Sequence, residues 1–369
     1  MRFILHILLL CILTATTYGQ DDPPPAVSIG DPAPALRVRA WLKGAPIQQF
    51  EKGRVYVLEF WATWCAPCRA AMPHLSELAR AYNGKATFVG IDIYEEKTMS
   101  LEKIKHFVDS IGSRMDYNAA ADDSNFMAAE WLDSTREKGI PKTFVVNADG
   151  RLAWIGHPKD LEPILPQIVN NKWDIQAALA QKNLQRRLDF EDEDDNFELA
   201  VFKPNSARPN APDRPDSMLL AIAKFVEKEP GLKYAPSMAY NTFTALLKTD
   251  TNRAYTYAKE VMASSYFGEP SVQSIIWPIE VNADKLTIPA MIYRLGAEAY
   301  QVYIGQFPYP ELVNIPNMYH HIADFYWRAG DRSKAIEAEE KAIDTLKKRK
   351  GSAKDLTAYE SQLRQYRDR

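Results

Sequence analysis

The stretch FWATWCAPCR, Phe60–Arg69, places two cysteines three positions apart between a tryptophan and a helix-like segment. The whole chain of 369 residues has only 3 cysteines. A structural disulfide across so short a loop is a weak reason to keep the pair, since the chain-entropy model credits it with about 2 kcal/mol. A structural zinc site needs four ligands. No second C-x-x-C or spaced histidine pair completes one, and adjacent His320 and His321 point in different directions on a helix or strand. No metal ligand and no separate cofactor are therefore assigned, and redox chemistry at Cys65 and Cys68 is the remaining reading.

The flanks say how such chemistry works. RVYVLEFW, Arg54–Trp61, is a β-branched and aromatic run that predicts a buried strand. APCRAAMPHLSELAR, Ala66–Arg80, predicts a helix with Pro67 in its first turn. Cys65 then sits at a helix N-terminus, where unpaired N–H groups and the positive dipole end favour a thiolate. A lowered pKa makes Cys65 the nucleophile, and Cys68, one turn on and less exposed, resolves the mixed disulfide.

Glu59 is the second informative residue. A carboxylate inside VYVLEFW is expensive to bury without a task. Desolvation raises its pKa, which suits a group that passes protons to and from the resolving thiol. Downstream, KGIPKTFVVNADGRLAWIG, Lys138–Gly156, predicts a hairpin of Thr143–Val146 and Arg151–Ile155 around an Asn-Ala-Asp-Gly turn. Pro141 precedes its first strand, a position proline tolerates.

These residues resemble the thioredoxin-like superfamily, specifically the TlpA/ResA-type exported thiol-disulfide oxidoreductases. VLEFWATWCAPC, Val57–Cys68, resembles the active-site segment, and GIPKT, Gly139–Thr143, the loop with the cis-proline. The resemblance spans residues 28–172. It implies an α/β thioredoxin fold, a central mixed sheet flanked by helices, with Cys65 attacking and Cys68 resolving. It also puts Glu59 at the buried proton-handling position, Ile140 and Pro141 beside an extended substrate segment, and Trp64 over the site. With Ala66, Pro67 looks more like the reducing members than the isomerases, and Pro67 joins Trp64, Ile140 and Pro141 as substrate-contacting. The implied partners are disulfides of other exported proteins and a membrane thiol-disulfide electron donor. Two positions depart from relatives that serve cytochrome maturation: Ala71 and Lys142 stand where glutamates are common. A general reductase role is unaffected.

The N-terminus reads as an export signal: Arg2, the apolar run Phe3–Leu13, then a polar stretch with cleavage after Gly19. Residues 1–19 are thus a signal peptide, and the localisation exported and periplasmic; an uncleaved membrane anchor is the other reading. Cleavage removes Cys11 and leaves Cys65 and Cys68 alone in an oxidising compartment. The net charge of −3 with no basic asymmetry argues against nucleic-acid binding.

Around the site, Ala35–Trp41, Thr87–Asp92 and Met115–Asn118 predict strands. Leu101–Val108, Phe126–Leu132 and Leu161–Val169 predict helices, the last closing the unit. His74, His106 and His157 read as surface or core residues. Residues 173–215 read as a helix followed by an exposed linker, because FEDEDDN, Phe190–Asn196, and the proline-rich Lys203–Pro215 look solvated. Residues 216–369 read as an all-α domain. Tyr319–Ile343 resembles one tetratricopeptide-type hairpin with Ala335, Ala338 and Ala342 on one face, and Ser237–Leu247 with Asn252–Met262 echoes it. This domain is either a surface that binds another protein or a structural appendage. Two rival functions are a thiol peroxidase, whose signature puts Thr or Ser three residues before its cysteine whereas Thr63 lies two before Cys65, and a helical adaptor carrying a vestigial redox domain.

Overall fold

The computed structural model describes residues 24–96, 98–204, 208–307, 313–349 and 351–368. The signal-peptide expectation for residues 1–19 lies outside them. Among the described residues no helix is long and apolar enough to cross a membrane.

The run Val55–Trp61 forms β2, and all seven of its residues are buried. Such a strand must be hydrogen-bonded on both edges and covered on both faces, which forces it to the middle of a sheet. It pairs parallel with β3 (Ala86–Asp92) and antiparallel with β5 (Lys142–Val146). The sheet extends outward through β4 (Asn118–Asp122) to β1 (Val38–Lys43) on one side and to β6 (Leu152–Gly156) on the other, giving the order β1-β4-β3-β2-β5-β6. Successive β2 side chains alternate between two cores. Val55, Val57 and Trp61 face α1 (Ala66–Ala81), α2 (Leu101–Ile111) and α3 (Leu161–Val169). Tyr56, Leu58 and Phe60 face the other core, where Trp131 meets Phe144 edge-on at 5.4 Å. Burying a side chain the size of Phe60 or Phe144 contributes about 2–3 kcal/mol each.

This is the expected α/β thioredoxin arrangement, with adjustments. The third parallel strand begins at Asn118, not Met115. Residues 112–114 turn tightly before it, and Met115 and Tyr117 point into the core ahead of the first ladder pair, Val89 with Asn118. The strand itself, NAAAD, has little β-propensity; its three alanines are buried, two of them completely, so packing room decides the outcome. The Phe126–Leu132 helix runs on through Thr135.

The larger correction concerns the acidic run. Phe190–Asn196 is not a solvated linker but part of α4 (Ile175–Leu199), a helix of 25 residues. Its N-terminal end packs on the sheet through Ala178, and Leu188 and Leu199 pack in the helical half. Asp192 is the reason the charges are tolerated. It is buried, and its two oxygens accept from the backbone N–H groups of Ser237 and Met238, both at 2.9 Å. Those are orphan donors in the first turn of α6 (Pro236–Thr249), which Ala235 at the N-cap cannot satisfy, and a carboxylate there also suits the helix dipole. Glu191 and Glu193 pair with Arg187 and Lys138. In the proline-rich stretch after α4, residues 208–210 and 212–214 are exposed, as expected of a linker, with Arg214 donating its N–H to the Phe202 carbonyl and Asp213 ion-paired to Lys248.

Beyond it the chain is helical: α5 (Pro215–Lys228), α6, α7 (Thr251–Ala263), α8 (Gln273–Asn282), α9 (Ala290–Gly305), α10 (Ile315–Arg328), α11 (Arg332–Lys348) and α12 (Ala353–Asp368). α10 and α11 form a hairpin turned at Gly330, with Ala335, Ala338 and Ala342 buried on the α11 side. His320 and His321 do diverge: one meets Glu339, the other Glu280.

Asp192→Ala leaves two helix-terminal donors without their acceptor. It is expected to destabilise the chain by about 1–3 kcal/mol in urea unfolding. A value within about 0.5 kcal/mol of wild type would contradict the capping role.

Candidate redox active site

β2 ends at Trp61, and after Ala62–Trp64 the chain enters α1 with Cys65 as its N-cap. Pro67 starts the helix at no hydrogen-bonding cost, because first-turn N–H groups have no helical partner. The Cys65 sulfur accepts from the Cys68 backbone N–H at 3.2 Å. Cys65 and Cys68 are joined by a disulfide, with S–S 2.01 Å. Cys65 retains 3% exposure and Cys68 none, so an incoming group meets Cys65 first.

The Ile140–Pro141 peptide bond is cis, as the resemblance implies. Although β5 starts beyond it at Lys142, this loop reaches the redox pair: the Ile140 carbonyl oxygen lies 3.8 Å from Cys65 Sγ. Trp64 stands exposed beside the pair and donates its indole N–H to the Tyr94 carbonyl at 3.1 Å. Pro67 is exposed on the same rim. Trp64, Cys65, Pro67, Cys68, Ile140 and Pro141 are thus one patch.

Glu59 lies beneath it. Its side chain shares the sheet face of Val57 and Trp61, the face on which Cys65 and Cys68 pack. It is 1% exposed, and burial pushes its pKa up to about 8, with a hydrogen bond from Tyr117 pulling partly against that. The Tyr117 hydroxyl donates to Oε2 at 2.5 Å, and Oε1 has no protein partner among the described residues. The carboxyl therefore stays largely protonated at neutral pH and keeps one oxygen free for proton exchange. Gly90, opposite Glu59 on β3, makes room for this. A β-carbon there would come within 2.8 Å of Met115 Cε and 3.2 Å of the Tyr117 ring.

Three further groups were not legible as site residues. Tyr117 is 58 positions from its partner, and nothing local marks it. Asp92, at the end of β3, is 3% exposed. Burial, a hydrogen bond shared with Glu95, and the charges of Glu95 and Asp122 push its pKa up to about 9. Glu95 in turn accepts from the Thr63 N–H at 2.5 Å and the Thr63 hydroxyl at 2.9 Å, fixing the turn that presents Cys65. Finally, Glu137 takes the Lys142 and Lys182 ammonium groups at 2.6 Å each. Burial opposes its ionisation, but those two cations outweigh it and hold the carboxyl below its ordinary range. The residue after the cis-proline is thereby tied to α4. The buried acid ending TFVGID was the one signal available for Asp92.

The AhpC/TSA family profile matches residues 29–155. The protein FixW of Rhizobium leguminosarum is 32% identical over 155 residues, covering 40% of this chain and 69% of the relative. The thiol:disulfide interchange protein HelX of Rhodobacter capsulatus is 31% identical, covering 36% and 71%. The thiol-disulfide oxidoreductase ResA of Oceanobacillus iheyensis is 27% identical, covering 40% and 75%. Among solved structures, the thioredoxin domain of a thiol-disulfide oxidoreductase from Bacteroides vulgatus aligns with 23% identity and a TM-score of 0.33, over 39% of this chain and 99% of that domain. The chain belongs to the thioredoxin-like thiol-disulfide oxidoreductases. Its Cys65–Cys68 pair is the family's redox disulfide.

A carboxyl held up at about 8, against an ordinary 4.5, makes stability depend on pH with a definite sign. Between those values the unfolded chain has released a proton that the folded chain keeps, so stability falls as pH rises and is complete only below about 4.5. The loss attributable to Glu59 is on the order of 4–5 kcal/mol. Urea unfolding of Glu59→Gln between pH 4 and 9 is expected to show a shallower decline than wild type, with Asp92 supplying what remains. Superimposable profiles would contradict the assignment. In Tyr117→Phe, loss of the hydrogen bond moves the Glu59 titration further up.

Proposed function

We propose that the protein is an exported, periplasmic reductase of disulfides in other exported proteins. The observation that supports it best is the meeting of a helix-capping Cys65, a buried Cys68, a cis Ile140–Pro141 loop and a proton-holding Glu59.

In the reduced enzyme the Cys65 thiolate attacks one sulfur of a substrate disulfide. The substrate disulfide breaks, its other sulfur leaves as a thiolate, and a mixed disulfide joins Cys65 to the substrate. Glu59, in the fraction that is ionised near neutral pH, takes the Cys68 thiol proton. The Cys68 thiolate then attacks Cys65 Sγ, expels the second substrate sulfur as a thiolate and leaves the oxidised pair. Two electrons pass from enzyme dithiol to substrate. A donor dithiol, in our reading a membrane thiol-disulfide protein, returns them, and Glu59 gives its proton to Cys68 as the internal disulfide opens. The backbone of Ile140 and Pro141, with Trp64 and Pro67, is the surface on which the substrate strand lies. The N-terminal segment serves as the export signal, and the helical half, with its tetratricopeptide-like hairpins, as a protein-binding unit.

The peroxidase alternative is disfavoured by Thr63, whose hydroxyl is committed to Glu95.

Reduced Cys68→Ser is expected to accumulate a mixed disulfide through Cys65 with a disulfide-bearing polypeptide, while Cys65→Ser forms none and loses turnover. A reduction potential near about −270 mV fits a reductant, whereas one near about −120 mV would mark an oxidant and overturn the direction. No trapped adduct in Cys68→Ser would overturn the mechanism.

A further inference from the structure

Two adjoining cavities lead away from the redox patch across the junction with the helical half. The first, of about 250 Å³, has Pro67 and Ala71 of α1 on one wall and Glu269, Tyr303 and Phe307 on the other. The second, of about 640 Å³, shares Glu269 and Tyr303 with it and continues past Tyr266 and Tyr240 to Trp277. Sharing Glu269, Tyr303 and Gln306, they make one groove, and Pro67, two positions along the chain from Cys65, lines its end at α1. We propose that this groove holds an extended segment of the polypeptide whose disulfide Cys65 attacks, with an acidic side chain of that segment at Lys203. The proposal rests on the reductase reading above and assigns the helical half a role in choosing substrates.

Position is the first support. A protein that reduces polypeptide disulfides must accommodate chain on either side of the attacked sulfur, and this groove meets the redox patch at Pro67. A small disulfide would need only its near end.

Composition is the second. Trp277 keeps 62% of its surface exposed, and Tyr240, Tyr266 and Tyr303 extend an aromatic lining of the kind that anchors polypeptide interfaces. The lining is also held in place before any partner arrives. Glu269 sits on a tight turn with Phe267 and Gly268 in the left-handed region and is ion-paired across the junction to Lys159. Gln306 donates to the Pro270 carbonyl at 3.2 Å, and Gln273 donates to the Tyr303 hydroxyl. A preformed groove spends less binding free energy on ordering itself.

Charge is the third and selects the occupant. Glu269 is neutralised by Lys159. Lys203, on the far wall, donates to the Asn241 amide oxygen at 2.7 Å, a neutral partner, while Asp213 is engaged by Lys248. Lys203 also stands 5.8 Å over the Tyr240 ring, and among the described residues no carboxylate is ion-paired to it, which leaves its charge for a carboxylate brought by the substrate.

The test uses full-length reduced protein and two disulfide-bridged peptides, identical except for a Glu-Glu-Tyr or a Lys-Lys-Tyr tail, with bis(2-hydroxyethyl) disulfide as the small probe. In wild type, kcat/KM for the acidic-tailed peptide is expected to exceed that for the basic-tailed one about tenfold, with the order reversed in Lys203→Glu. Trp277→Ala is expected to lower kcat/KM for both peptides, relative to the small disulfide, about fivefold. Tail preferences within about twofold of each other in wild type, or unchanged in Lys203→Glu, would overturn the groove proposal. Failure of wild type to reduce even the small disulfide would overturn the reductase reading instead.

Discussion

Everything at the redox centre depends on the confinement of β2. A strand paired on both edges and covered on both faces has one way out, at its C-terminal end, and after only three residues, Ala62–Trp64, the chain reaches Cys65 at the N-cap of α1. Cys65 is delivered to the helix N-terminus by that short exit. The Glu95 clamp on Thr63 and the Trp64–Tyr94 hydrogen bond keep the exit in one conformation. The same confinement buries Glu59. The raised pKa on which the proposed proton transfer relies has the same origin as its cost.

That cost is visible in how ionisation couples to folding. Glu59 and Asp92 are both held well above their ordinary values, so both favour the folded chain at low pH and lose their contribution as pH rises through about 8 and 9. His157 works the other way. Burial, then the charges of Lys159 and Lys142, hold it down to about 4, so the unfolded chain gains a proton first as pH falls below about 6.5. The molecule is pulled toward a middle pH from both sides. Two buried acids held neutral are a poor arrangement for stability.

The N-terminal half was legible in sequence because its signals are local. VYVLEFW is a buried strand, APCRAAMPHL a helix start, TFVVNADGRLAWI a hairpin, and each is read within a dozen residues. The resemblance supplied the cis-proline, which a Gly-Ile-Pro triplet does not announce by itself. Illegible were the contacts that close over distance: Tyr117 with Glu59, Glu95 with Thr63, Lys182 with Glu137. Five consecutive acids misled for a physical reason. Composition predicts solvation, yet Asp192 was satisfied by two helix-terminal N–H groups that only the fold brings to it. In the NAAAD strand small size outweighed propensity.

In the proposed mechanism the helix N-terminus makes Cys65 the attacking thiolate. Its most direct measurement is the ultraviolet thiolate absorbance of the fully reduced protein against pH, repeated in Cys68→Ser. Cys65 is expected to ionise well below the ordinary thiol value of about 8.5 in both proteins. Ionisation of Cys65 at or above that value in both would contradict it.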